Sequence, residues 1–382
     1  MKYLLNKTAF SFMCVFLISF SIFAQKENFD FTYKAEAEGY FADLKMSAFG
    51  LIATDNTANS IYLIKNGNLK KLITAPGCGR YYTLSADKIK IGFKYISPNG
   101  MQAPAIYDLQ SGNYTLLHSP ASLCSQVSFS NSGALLFSIE NEVYIKNATS
   151  EKIINIGTYS NIIALSPDGK YFVYNDNNDQ FFLFTIESGI KKKISDDKNG
   201  YVYPQWSPDG KYLLFSSLDG NLFTWNFQSE KITKIGTGGG ARWLNDSFEI
   251  IYSRTFSENF KFIGSDIFIT NANGTENIAL TNTESIHEMA PCIDGSDVYF
   301  HTYNRKRILK TILNSAQKSL SQAVNYYKHT GQLAENINFT RNVNAITKIP
   351  GTVPYVHQVY DTPEWHYGYG SCAPTTCVMA FA

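Results

Sequence analysis

Apolar and polar residues alternate with a period of two over most of this chain, in short runs separated by turn-forming clusters. The plainest unit is residues 204–217: a run ending in Trp206, the turn Ser207-Pro208-Asp209-Gly210, then a β-rich apolar run at residues 212–215. The turn has its own chemistry. Pro208 presets φ, Asp209 bonds its own backbone, and Gly210 accepts a positive φ. Near the start of the chain Phe29, Phe31, Tyr33, Ala35 and Ala37 interleave with polar residues, the signature of a strand with one buried face.

The unit recurs. Ser166-Pro167-Asp168-Gly169 leads a second intact copy, and degenerate copies stand at residues 85–88, 129–133, 243–247 and 293–296. Turn positions 87, 132, 168, 209, 246 and 294 are spaced by 45, 36, 41, 37 and 48 residues. A period near 40 with several strands per unit predicts an all-β fold, a β-propeller rather than a helical solenoid. Counting copies predicts about seven four-stranded blades, with six or eight also compatible. Residues 48–54, 60–65 and 69–73 form a first blade without a clear turn motif, and five blades follow over residues 81–288. The last holds three strands of its own at 289–293, 297–303 and 307–313, so the segment at 29–37 is expected to supply its fourth and close the ring.

Ser-Pro-Asp-Gly-Lys-Tyr followed by an apolar strand resembles the repeat of TolB-like propellers, also found in the propellers of prolyl oligopeptidases; the resemblance covers roughly residues 45–315.

Composition narrows the setting. Lys and Arg total 33 against 32 Asp and Glu, so no strong field draws nucleic acid or an anionic membrane. Residues 1–24 read as a signal peptide, with Lys2 and Lys7 ahead of an apolar core at 9–23 and Ala24 before the cut; this implies export to the periplasm or beyond, with no span left after cleavage. Five cysteines then remain. Cys78 and Cys124 precede their turns by similar distances, and either a disulfide between them or two separate buried thiols fits that placement. Asp168, Asp209 and Asp294 are accounted for by turn formation, and no metal is expected at them. Gly238-Gly239-Gly240 lacks the Lys-Ser or Lys-Thr of a phosphate loop and reads as a close backbone approach; no cofactor is expected. Trp206 and Trp243 end consecutive inner strands, where packing between blades is the ordinary role and stacking on a ligand the alternative.

Beyond residue 315 the repeat stops. Residues 316–350 read as a connector with a short helix at 319–328, and the character changes again at 351–382. There Val353-Pro354, Gln358 and Cys372-Ala373-Pro374-Thr375 lead an apolar run that reads as a helix start, where a thiolate is favoured by the helix dipole. The stretch resembles the opening of papain-like cysteine peptidase domains related to bacteriocin-processing peptidases, which begin with Val-Pro, a Gln, and Cys-Gly-Pro-Thr. By that resemblance Cys372 is the nucleophile and Gln358 the oxyanion-hole side chain. Ala373 stands where the family has Gly, and the spacing from Gln to Cys is longer than in the classical enzymes. His357 and His366 read as loop residues and Cys377 as a packing residue. Only ten residues follow Cys372, too few for the downstream His and Asn or Asp, so a 382-residue chain is expected to be an inactive, truncated start of such a domain. Two functions follow: a propeller that docks a protein or peptide for a papain-like peptidase domain, or a non-catalytic TolB-like propeller that binds proteins or ligands.

Overall fold

The computed structural model describes residues 33–312 apart from 196–199, 245–247, 260, 284–285 and 305; the segment read as a signal peptide, residues 29–32 of the expected closing strand, the expected connector and helix at 319–328, and the whole stretch 351–382 lie outside the described residues. Every element described is a β-strand, and the strands form seven four-stranded antiparallel sheets, the blades of a propeller. Blade 1 runs Phe41–Ser47, Gly50–Asp55, Ser60–Lys65 and Asn68–Thr74. The inner strands of blades 2 to 6 are Thr83–Leu84, Ser128–Phe129, Ala164–Leu165, Tyr201–Trp206 and Gly239–Trp243, each followed outward by three more. Blade 7 holds Glu288–Asp294, Asp297–Thr302 and Arg307–Ile312, and its outermost strand is Lys34–Glu38, from the other end of the propeller. Ala35 pairs with Leu309 and Glu38 with Arg307, so the ring is closed as the early alternation predicted.

Blade 1 differs from expectation. Its inner strand is Phe41–Ser47, a run outside the three strands expected for this blade, and its turn is the two-residue Ala48-Phe49 capped by Ser47, whose hydroxyl donates to the Gly50 carbonyl at 2.7 Å. A bulge after Ala42 breaks the alternation that would have announced the strand.

The Ser-Pro-Asp-Gly turns join inner to second strands by one repeated network. Ser207 Oγ donates to Asp209 Oδ1 (2.7 Å), which also accepts from the Lys211 N–H (3.1 Å), while the Tyr212 N–H donates back to Ser207 Oγ (3.0 Å). Ser166, Asp168, Lys170 and Tyr171 repeat it at 2.6, 3.0 and 2.9 Å. In the degenerate blade 3 turn Ser132 stands in for the aspartate, 2.9 Å from Ser130. These aspartate oxygens thus serve the turn, and Gly169 and Gly210 sit at φ of 72° and 73°.

The cores lie between blades, with one apolar cluster at each of the seven junctions. Ile52, Ile61, Ile91 and Phe93 fill the first, and Leu44, Leu51, Tyr299 and Ile308 fill the junction of blades 7 and 1. A single blade has no such interior, so stability belongs to the ring rather than the repeat. Cys78 falls in the junction of blades 1 and 2 and Cys124 in the next, and both are free. They are separate buried thiols, not a disulfide, and burial pushes their pKa values up to about 12 and about 11. Trp206 and Trp243 also serve the junctions: each indole N–H donates to an inner-strand carbonyl of the preceding blade, Ala164 at 3.0 Å and Gln205 at 3.1 Å.

Candidate functional site

Strand register defines a layer around the propeller axis. The residue four positions before each inner turn begins is Asp43, Tyr81, Gln126, Ile162, Tyr203, Gly240 and Ala290 in blades 1 to 7. Five of these, Asp43, Tyr81, Tyr203, Gly240 and Ala290, have positive φ, between 43° and 63°. In blades 1, 5, 6 and 7 the residue falls within a break in the ladder, so the left-handed turn accompanies a bulge that re-aims the side chain. A Tyr in this region costs on the order of 1 kcal/mol or more and persists only where its surroundings hold it.

Contacts between blades that are not neighbours locate the layer on the axis. The rings of Tyr81 in blade 2 and Tyr203 in blade 5 lie 5.9 Å apart, which in a seven-membered ring requires crossing the channel. Arg242 of blade 6 passes blade 7 and places Nη2 2.7 Å from Asp43 Oδ1 of blade 1. Small residues make the room: a Cβ on Gly240 would stand 2.7 Å from Ala290 Cα. Lys45 donates to the other Asp43 oxygen at 2.6 Å, its ammonium 3.8 Å from the centre of the Tyr82 ring, and Tyr82 donates its hydroxyl to the Asp43 carbonyl at 2.5 Å. Lys94, in the second strand of blade 2 where it pairs with Pro104, reaches Asn161 Oδ1 on the approach to blade 4 at 2.6 Å.

The electrostatics are those of a walled channel. Asp43, Lys45 and Arg242 keep 29%, 17% and 21% of their side-chain surface exposed; burial sets the direction of the shift at Lys45, whereas at Asp43 and Arg242 the ionic partners outweigh it. Burial pushes the Lys45 ammonium down to about 8 against the pull of Asp43. Burial also opposes the Asp43 carboxylate, but Lys45 and Arg242 outweigh it and hold its pKa below the usual range. Lys94 is lowered by burial first, with the Arg80 guanidinium adding repulsion. Arg242 Nε is buried and has no hydrogen-bond partner.

A second polar cluster sits at the closure. Glu288, the first residue of blade 7, is fully buried; Oε1 accepts from the Tyr33 hydroxyl at 2.9 Å and lies 3.0 Å from Thr283 Oγ1. Tyr33 immediately precedes the closing strand and meets Phe300 edge-on at 5.6 Å, so this bond ties the N-terminal segment to the blade it completes. The Thr283 hydroxyl also bonds the Ile286 carbonyl, and it has one proton. That proton is shared between the two acceptors, the carbonyl and Glu288 Oε1. Burial, then the nearby Asp266 carboxylate, pushes Glu288 up to about 8 against the opposing bonds from Tyr33 and Thr283.

The peptidase-like residues Cys372 and Gln358, with His357, His366 and Cys377, lie outside the described residues. Sequence reading missed both clusters. The signal for the channel layer was available once the turns were aligned, as the position four before each turn; nothing singled out Glu288, which reads as one more polar residue.

No curated protein sequence matches the chain. Among solved structures, the tricorn protease is 16% identical with a TM-score of 0.40, over 69% of this chain and 28% of that one, so this chain spans under a third of that protease. A chain of the mitotic checkpoint complex is 14% identical with a TM-score of 0.49, over 74% of this chain and 93% of that one. The β-propeller domain of Myceliophteria thermophila Cps50 (Swd1) is 12% identical with a TM-score of 0.39, over 59% and 94%. Residues 166–262, which begin at the first intact Ser-Pro-Asp-Gly turn and contain the second, match the family described as the dipeptidyl peptidase IV (DPP IV) N-terminal region, so this part of the propeller is similar to the N-terminal region of a peptidase.

Proposed function

We propose that this chain is an exported, TolB-like propeller that docks a protein or peptide at its channel on behalf of a papain-like cysteine peptidase domain beginning near residue 351. The observation that carries the reading is the channel layer, where Asp43, Lys45 and Arg242 and the Tyr81–Tyr203 pair gather polar and aromatic contacts from blades far apart in sequence. A closed ring needs none of these cross-axis contacts to bury its junctions, whereas a docking site needs convergent polar and aromatic groups. The order of parts supports it: a propeller resembling the N-terminal region of a peptidase precedes the Val353-Pro354, Gln358 and Cys372 stretch. In this reading Cys372 attacks a peptide or amide carbonyl, Gln358 donates to the developing oxyanion, and a downstream His serves as base.

The test is labelling of the protein, produced with whatever its gene encodes downstream, by a thiol-reactive peptidase probe. The expected result is labelling abolished by Cys372→Ala and retained in Cys377→Ala. Labelling that survives Cys372→Ala removes the nucleophile and leaves a non-catalytic binding propeller.

A further inference from the structure

We infer that the channel layer is an oxyanion site, and that what docks there presents a carboxylate or phosphate to Lys45 and Arg242. Two cations, from blades 1 and 6, converge there on one carboxylate, Asp43, which answers both and leaves a net positive charge. Arg242 spends Nη2 on Asp43 and leaves Nε, a strong donor, buried and unpaired, so the guanidinium edge is half used. A buried guanidinium donor without an acceptor is a standing cost that an incoming oxyanion removes, and Arg presents its donors in a fork matched to carboxylate and phosphate. The walls concentrate the field: the low-dielectric surroundings that depress Lys45 also strengthen the attraction of both cations for an anion, and channel geometry focuses it. Asp43 acts as the resident counter-ion, bridging the two cations when no ligand is bound.

This deepens the docking reading, and small probes separate the two, because a bare anion tests the layer without a partner protein. The experiment is calorimetric titration of the propeller at pH 7 with N-acetylphenylalanine, its C-terminal amide and inorganic phosphate. The expected result is binding of one or both anions and none of the amide; carboxylate over phosphate assigns a peptide terminus or acidic side chain, and the reverse a phosphorylated ligand. Lys45→Met and Arg242→Gln should each weaken binding roughly tenfold or more. Asp43→Asn should tighten it by a similar factor, since a competing acceptor is removed and Asn tolerates the left-handed backbone at φ of 43°. A gain of affinity cannot arise from misfolding, so this variant keeps the test sound if Arg242→Gln fails to fold. No anion binding up to 10 mM (roughly the weakest affinity of interest), equal binding of acid and amide, or an affinity unchanged in Asp43→Asn overturns the inference.

Discussion

Replacing Glu288 by Gln should change how stability depends on pH while leaving the fold intact. Glu288 is fully buried and held between Tyr33 and Thr283, and burial, with help from Asp266, raises its pKa from 4.5 to about 8. The titratable groups that act on it are Asp266 and Tyr33. A carboxyl whose folded pKa lies above its unfolded value binds its proton more tightly when folded. Its contribution is fully present below pH 4.5, falls by about 1.4 kcal/mol per pH unit as pH rises toward 8, and is gone above that. Over the whole interval the loss is about 5 kcal/mol, or roughly 10 °C in Tm for a domain of this size. Gln keeps an acceptor for the Tyr33 hydroxyl and cannot ionise. At pH 5 the variant should lie within about 1 kcal/mol of wild type; by pH 9 it should be the more stable by several kcal/mol. Urea unfolding of both proteins at pH 5, 6, 7, 8 and 9 supplies the comparison, in which Lys45 and other groups titrating alike in both cancel. Two profiles that stay parallel from pH 5 to 9 would refute the neutral, buried acid.

Two packing predictions follow from individual contacts. A Cβ on Gly238 would stand 2.3 Å from the Ser253 carbonyl oxygen and 2.8 Å from the Tyr252 ring, whereas one on Gly239 would meet nothing within 4 Å; Gly238→Ala should therefore cost about 2–3 kcal/mol and Gly239→Ala less than about 1 by urea unfolding. Trp206→Phe removes the indole N–H that reaches the Ala164 carbonyl at the junction of blades 4 and 5 and should cost about 2 kcal/mol, again by urea unfolding.

Much of this architecture was legible in the sequence because one turn chemistry punctuates it. Ser, Asp and Gly in Ser207-Pro208-Asp209-Gly210 each have a defined bond or dihedral to satisfy, and the same requirements survive in the degenerate turn at Ser130 and Ser132. Register after the turn is then set by alternation, which is why the strands of blade 7 lie close to the expected bounds, while the closing strand, expected over 29–37, is Lys34–Glu38. Phe41–Ser47 was hidden because its turn carries no Pro or Asp and a bulge at Asp43 breaks its period. The channel layer was hidden for a different reason. Asp43 and Arg242 are 199 residues apart and meet only because seven blades close on one axis, so no local pattern contains the pair. Gly238-Gly239-Gly240 reads in the sequence as a blade linker nearing the channel, but it leads straight into the inner strand Gly239–Trp243, and the tight contacts of Gly238 with Ser253 of its own blade and of Gly240 with Ala290 of blade 7 required the ring.

The closed ring underlies every contact across the axis, and a cross-link at the seam tests it directly. Glu38 and Arg307 are exposed partners in a non-hydrogen-bonded position of the ladder, next to the bond from the Gly39 N–H to the Lys306 carbonyl, where Cα atoms approach to about 4.5 Å. The double variant Glu38→Cys with Arg307→Cys, oxidised and mapped by peptide mass spectrometry, should form an intramolecular disulfide between those two positions in the folded monomer. By tying a loop of well over 100 residues it should raise stability by about 4–5 kcal/mol. Linkage only between molecules, or only after unfolding, would mean that the first strand does not complete the last blade.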